Sequence, residues 1–152
     1  MKSNLYGDHV VDGTVVTKPT VINFFVDRAL SGETLTVYEP GTQARNFVHV
    51  KDVSRAYVRS AERLVEQVAD DVTGTETYEI AGQEDMSVMA VAEIVQEVTE
   101  AERGTAVTID LVENPRSDET MVNEFGVDIS AAKAALGWEP AESICDSVRQ
   151  LV

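Results

Sequence analysis

Apolar residues recur along this chain in short runs of period two and longer runs of period 3.6, parted by glycine, proline and acidic breaks. Thr20 to Ser31 is predicted as a helix: Val21, Ile22, Phe25, Ala29 and Leu30 make an apolar face, Thr20 stands at the cap and Gly32 ends it. Phe24 and Val26 spread that apolarity around the helix, so it is either sandwiched in a core or lines a pocket. Leu35 and Val37 then alternate as a strand, Pro40-Gly41 suits the central positions of a type II turn, and Phe47, Val48 and Val50 read as a second strand. Asp52 is placed to cap a helix that starts at once and runs to about Val68, with Val53, Tyr57, Ala61, Leu64 and Val68 on one stripe.

Asp70-Asp71 and Gly74 break that helix. Thr77 to Ala81 is predicted as a short strand ending at Gly82, and Ser87 as the cap of a helix with Val88, Val91, Ala92, Val95 and Val98 on its buried face. Ala106 to Val112 alternates as a strand, Ser130 caps a short helix that Gly137 stops after Leu136, and Ile144, Val148 and Leu151 form the face of a last helix. Met1 to Thr20 reads as mostly irregular, apart from a strand end at Asn4-Leu5-Tyr6-Gly7. There are no repeats and no low-complexity linker.

Composition adds one unusual feature. The chain has 152 residues, 43% of them apolar, which suits one domain with a core. Its 27 acidic residues against 12 basic ones leave a net charge of −15, which repels nucleic acid and anionic membranes. Four of the twelve basic residues are lysines, and a dense acidic surface poor in lysine fits adaptation to high salt, where the Debye length falls to about 3 Å at 1 M. An acidic face built for a basic partner is the alternative. The single cysteine, Cys145, sits beside Ile144 on an apolar helical face and has no partner for an internal disulfide, so an intracellular setting is expected. With no signal peptide and no apolar run of membrane length, the expected location is the cytoplasm.

The stretch from Gly32 to Val53 reads G-x-x-L-x-V-Y-x-x-G-x-Q-x-R-N-F-V-H-V-x-D-V, and Asn4-Leu5-Tyr6-Gly7 precedes it. Asn114-Pro115-Arg116, Val127-Asp128 and Leu136-Gly137-Trp138-Glu139-Pro140 follow in order. Together these resemble the second half of the NAD-dependent epimerase/dehydratase family, the extended short-chain dehydrogenase/reductases of nucleotide sugars. The resemblance implies an α/β chain: the C-terminal, substrate-binding part of such an enzyme, without the N-terminal Rossmann half that holds the cofactor. It divides the chain into a sugar-nucleotide lobe, about 18–50 and 83–140, and elements that pack on the Rossmann domain, about 1–7 and 51–81. No G-x-x-G-x-x-G occurs, and none of Tyr6, Tyr38, Tyr57 and Tyr78 has a lysine four residues on, so the family's hydride-transfer parts are missing. NAD is implied for a complete enzyme, none is expected on this chain alone, and no catalytic residue is assigned.

Phosphate binding calls for fixed donors, and an arginine fork meets two phosphate oxygens at once. Arg45 and Arg116 are the candidates; taken as residues alone, either is more readily a surface arginine paired with a carboxylate. The resemblance places both at positions that hold a nucleotide diphosphate, Asn4 at a position that contacts the nucleotide sugar, and Val37 and Tyr38 near the base, where core packing is an equal reading. His9 and His49 lack metal-ligand spacing, and His49 reads as a packing residue. The expected ligand is a UDP- or dTDP-sugar, and the expected partners are a second copy or a Rossmann-domain chain, since the helix stripe from Val53 and the edge of the Thr77 strand would lack cover. The alternative is an enzyme-derived interaction protein that has lost its ligand.

Overall fold

The computed structural model describes residues 3–17, 19–83, 85–115 and 126–152. Helix α1 (Val21–Leu30) buries Ile22, Phe25, Val26 and Ala29, and α3 (Val88–Arg103) buries Val91, Ala92, Val95 and Val98. With Ile144 and Val148 of α5 (Ile144–Leu151) they form one cluster, closed by Leu35, Val37, Phe47 and Tyr6 from the strands. The half-buried Cys145 packs against it. Phe24 stays on the surface, where the Arg28 guanidinium lies 5.5 Å from its ring centre.

The described strands form three small sheets. Strand β1 (Asn4–Tyr6) runs parallel to β5 (Ala44–His49), and β5 pairs antiparallel with β6 (Asp85–Ser87). Strand β4 (Leu35–Tyr38) pairs in parallel with β7 (Ile109–Val112), which begins three residues later than the alternation from Ala106 suggests. So β4 and β5, neighbours in sequence, belong to different sheets. The turn after β4 keeps Gly41 at a positive φ of 70° but follows a cis Glu39–Pro40 peptide, unlike the type II turn expected.

Three further expectations are corrected. The first twenty residues are ordered: β2 (Asp8–Val11) and β3 (Thr14–Thr17) make an antiparallel hairpin about Asp12-Gly13, whose φ values of 49° and 76° suit a two-residue turn between twisted strands. Thr77 to Ala81 forms no strand and enters no ladder among the described residues, because strand formation needs a neighbouring edge. Helix α2 (Val50–Ala69) starts two residues before Asp52, so Val50 belongs to the helix, and the His49 ring caps it by accepting the Lys51 amide at 3.1 Å.

The Thr20 hydroxyl makes no cap bond to α1, while Ser87 does cap α3 as expected. At α4 (Ser130–Leu136) the capping acceptor is Asp128, whose carboxylate takes the Ser130 amide at 2.8 Å. Gly137 ends α4 with a φ of 58°.

Displaced from the cap, Asp52 does something else. It is 1% exposed, accepts the amides of Ala141 and Glu142 at 3.2 Å and pairs with Arg55, while its own carbonyl accepts the Trp138 indole N–H at 2.9 Å. Around this joint Ala56, Ala132, Leu136 and Trp138 make a second apolar cluster, with Tyr78, Ile80 and Ile129 at its margin.

Candidate functional site

Strand β5 carries the main candidate. Its residues alternate: Ala44 and Asn46 point into the protein, 7% and 2% exposed, and Arg45 between them is half-buried on the opposite face. Asn46 fixes the strand by donating from Nδ2 to the Gly82 carbonyl at 3.1 Å and to Asp85 at 3.0 Å, and by accepting the Gly82 amide at 3.0 Å. A β-carbon on Gly82 would lie 1.7 Å from the Phe47 carbonyl oxygen, so the backbone here tolerates glycine alone. Arg45 thus projects from a strand held on both sides, by β1 and by β6.

The Arg45 guanidinium donates at 3.1 Å to the carbonyl of Ala44, its own neighbour. Among the described residues it reaches no carboxylate, whereas Arg28, Arg55, Arg59, Arg63 and Arg149 each pair with one. In a chain of charge −15, a half-buried arginine that keeps its fork open is set apart from the surface ion pairs.

The other candidates divide. Asn4 lies on β1 beside β5, in register with Phe47, and therefore on the face of that sheet that Arg45 occupies. Tyr38 ends β4, 49% exposed, and the loop from it to Arg45 is tied to the start of α3 by the Met89 amide, which donates to the Gly41 carbonyl at 3.0 Å. Val37 is 1% exposed and packs in the core against α3 and β7, so its side chain offers nothing to a ligand in this conformation. Arg116 lies outside the described residues.

Asn23, which the sequence reading passed over, supports this region, as do the hairpin turn and His49. Asn23 of α1 is buried, accepts the Gly7 amide at 2.8 Å, and donates to the Gly7 carbonyl at 2.9 Å and to the Thr17 hydroxyl at 2.7 Å, which ties β1 and the hairpin to the helix. The Asp12-Gly13 pair between β-branched runs signalled the hairpin itself. His49, 3% exposed, packs edge-on against Tyr6 at 5.0 Å. Its burial pushes the imidazole below its ordinary value of 6.5, against an upward pull from Glu142, Asp52 and Asp8 and with a smaller downward push from Lys51.

Two roomy concavities lined by described residues lie elsewhere. One of about 520 Å³ is lined by Leu5, Val48, Val53, Ala56, Tyr57 and Tyr78, and is chiefly apolar. The other, about 910 Å³, lies between Lys51, Arg55 and Arg59 of α2 and the 137–141 segment. Among the described residues no group of three His, Cys, Asp or Glu side chains is placed to hold a metal ion, and no helix is long and apolar enough to cross a membrane. The NAD implied by the sequence motifs calls for a glycine-rich turn from strand to helix. The β5-to-α2 turn runs His49-Val50-Lys51 without glycine, and the histidine ring already takes the Lys51 amide, so this turn does not fit a pyrophosphate.

Comparison with known proteins agrees with the motifs. The chain is 35% identical over 139 residues to UDP-glucuronic acid decarboxylase 6 of Arabidopsis thaliana, covering 90% of this chain and 34% of that protein. It is 27% identical over 137 residues to dTDP-glucose 4,6-dehydratase 1 of Escherichia coli, covering 87% and 35%. Among solved structures, UDP-glucose 4-epimerase of Thermotoga maritima with UDP-glucose superimposes with a TM-score of 0.68 at 24% identity, over 97% of this chain and 41% of that one, which shows a shared fold. The chain thus spans about a third of the length of these curated relatives. A model of the NAD dependent epimerase/dehydratase family matches residues 1–81, more than half of the 152, and the chain belongs to that family.

Proposed function

We propose that this chain is the nucleotide-sugar-binding portion of an NAD-dependent epimerase or dehydratase, present as a fragment or as one chain of a split enzyme, and not catalytic alone. The observation that carries this reading is Arg45, whose guanidinium meets no carboxylate among the described residues of a strongly acidic chain. The relatives named above decarboxylate, dehydrate or epimerise UDP- or dTDP-sugars by their names, and a diphosphate is the group they share. On this reading Asn4 meets the sugar, Tyr38 the base, and Arg116 is the second diphosphate donor. The lobe comprises about 18–50 and 83–140; about 1–7 and 51–81 meet a cofactor domain that supplies NAD and the catalytic tyrosine.

The exposed stripe on α2 supports that last point. Tyr57, Leu64, Val65 and Val68 are 76%, 60%, 70% and 72% exposed, and the apolar concavity of about 520 Å³ adjoins Tyr57. A second copy or a separate Rossmann chain is the partner for that face. The acid excess with few lysines supports a high-salt setting. The test is binding of UDP-glucose and dTDP-glucose: Arg45→Ala is expected to weaken it at least roughly tenfold, the loss of one charge-assisted bidentate contact. Association that persists without any sugar-nucleotide binding favours the alternative, an interaction protein derived from the enzyme.

A further inference from the structure

Three side-chain oxygens of the described residues are buried with no hydrogen-bond partner: Thr20 Oγ1, Gln43 Oε1 and Thr99 Oγ1. Thr20 precedes α1 and Thr99 lies within α3, where a hydroxyl needs only to rotate to reach a helix carbonyl. A carboxamide is harder to satisfy, because its oxygen accepts, its nitrogen donates, and the two need different partners. Gln43 is 7% exposed, and an acceptor closed off from water without a partner destabilises the fold that holds it.

The backbone does not relieve this. The loop is pinned before Gln43, where the Met89 amide donates to the Gly41 carbonyl at 3.0 Å, and after it, where Ala44 stands in register with Ser87. Gln43 is also the one member of the G-x-Q-x-R run to which the site above gives no work. It lies in the loop that joins Tyr38 to β5, two residues before Arg45, and two residues span at most about 7 Å of chain. Both side chains are therefore within reach of one ligand. The Arg45 guanidinium rests on the carbonyl of Ala44, the residue between them.

The chemistry of the unpaired group selects what it meets. A diphosphate satisfies Arg45 and not Gln43 Oε1, since ionised phosphate oxygens only accept. The groups that flank the diphosphate of a nucleotide sugar are the hydroxyls of its ribose and its hexose. A hydroxyl both donates and accepts, so it suits the carboxamide whichever end faces it. We infer that Gln43 is a further ligand contact of the Arg45 site, its carboxamide taking a sugar hydroxyl beside the diphosphate. This rests on the nucleotide-sugar reading and adds a residue to it. On binding, the Arg45 fork leaves the Ala44 carbonyl for the diphosphate, and the Gln43 side chain turns to the hydroxyl.

The experiment is a titration of the chain with UDP-glucose and with UDP in about 1 M salt, alongside Gln43→Leu, Gln43→Met and Arg45→Ala, with thermal unfolding of each variant. Both Gln43 variants remove the unpaired group without shortening the side chain to a stub. They are expected to unfold no earlier than the parent chain and to bind UDP-glucose about tenfold more weakly. The side-chain amide signals of Gln43, identified by their absence from the variants, are expected to shift as UDP-glucose binds. A loss seen equally with UDP assigns the hydroxyl to the ribose, and a loss confined to UDP-glucose assigns it to the hexose. If Arg45→Ala weakens binding while both Gln43 variants bind like the parent chain, this inference falls and the nucleotide-sugar reading stands. Earlier unfolding with unchanged affinity makes Gln43 a packing residue and overturns the inference as well. A parent chain that binds neither nucleotide overturns both.

Discussion

Asp52 and His49 each join parts of the chain that are far apart in sequence. The Asp52 carboxylate satisfies two backbone amides, of Ala141 and Glu142, in a site closed to water. Asp52→Ala leaves both donors unpaired and frees Arg55, and it is expected to cost about 3 kcal/mol in chemical denaturation, with Asp52→Asn costing less. His49 is held neutral by burial, and its unprotonated Nδ1 accepts the Lys51 amide. The unfolded chain takes up a proton near the ordinary 6.5, and the folded chain resists it to lower pH. Stability from this group is therefore complete above 6.5 and declines as pH falls from there toward the folded value. Unfolding free energies are expected to fall as pH is lowered through 6.5, and His49→Asn, which keeps a capping acceptor, is expected to flatten that difference.

At the level of elements, the helices were legible because each carries its own signal: the apolar spacing of α1 and α3, Ser87 before α3, Gly137 after α4. Pairing was not, because period two says that a segment is extended and says nothing about which edge it meets. That is why β4 and β5 fell into different sheets and Thr77 to Ala81 into none of those described. The hairpin was readable from Asp12-Gly13. Asp52 was misread because a carboxylate near a helix start suits a cap by local rules, and only the folded chain brings residues 141 and 142 to it. Gly82 belongs to this scale as well, since it lets the segment after Ile80 press on β5. Gly82→Ala forces a β-carbon against the Phe47 carbonyl and is expected to lower stability by about 2–3 kcal/mol in thermal or urea unfolding, shifting β5 and Arg45 with it.

The whole molecule joins the motifs by which its family membership was first read. The R-N-F-V-H-V-x-D-V stretch and the L-G-W-E-P segment meet where Asp52 accepts the Trp138 indole, so the spacing seen in sequence is a contact in the fold. Site chemistry was less legible than membership. Arg45 was a candidate by resemblance, and the fold adds that it reaches no carboxylate among the described residues, whereas Arg28, Arg55 and Arg59 each pair with one. Val37 was named near a base and lies in the core. The charge of −15 acts at this scale too: it repels anionic ligands in dilute buffer, so the proposed diphosphate contact at Arg45 is expected to tighten as salt screens that repulsion.

The central claim is that this chain binds a sugar nucleotide through Arg45. The most direct measurement is a titration of the chain with UDP-glucose and dTDP-glucose in about 1 M salt, followed by amide chemical shifts, with Arg45→Ala alongside. The account predicts saturable binding, with shifts centred on β5, the Tyr38-to-Arg45 loop and the end of β1, and its loss in Arg45→Ala. A folded chain whose spectrum does not change with either nucleotide, or binding that Arg45→Ala leaves intact, would contradict it.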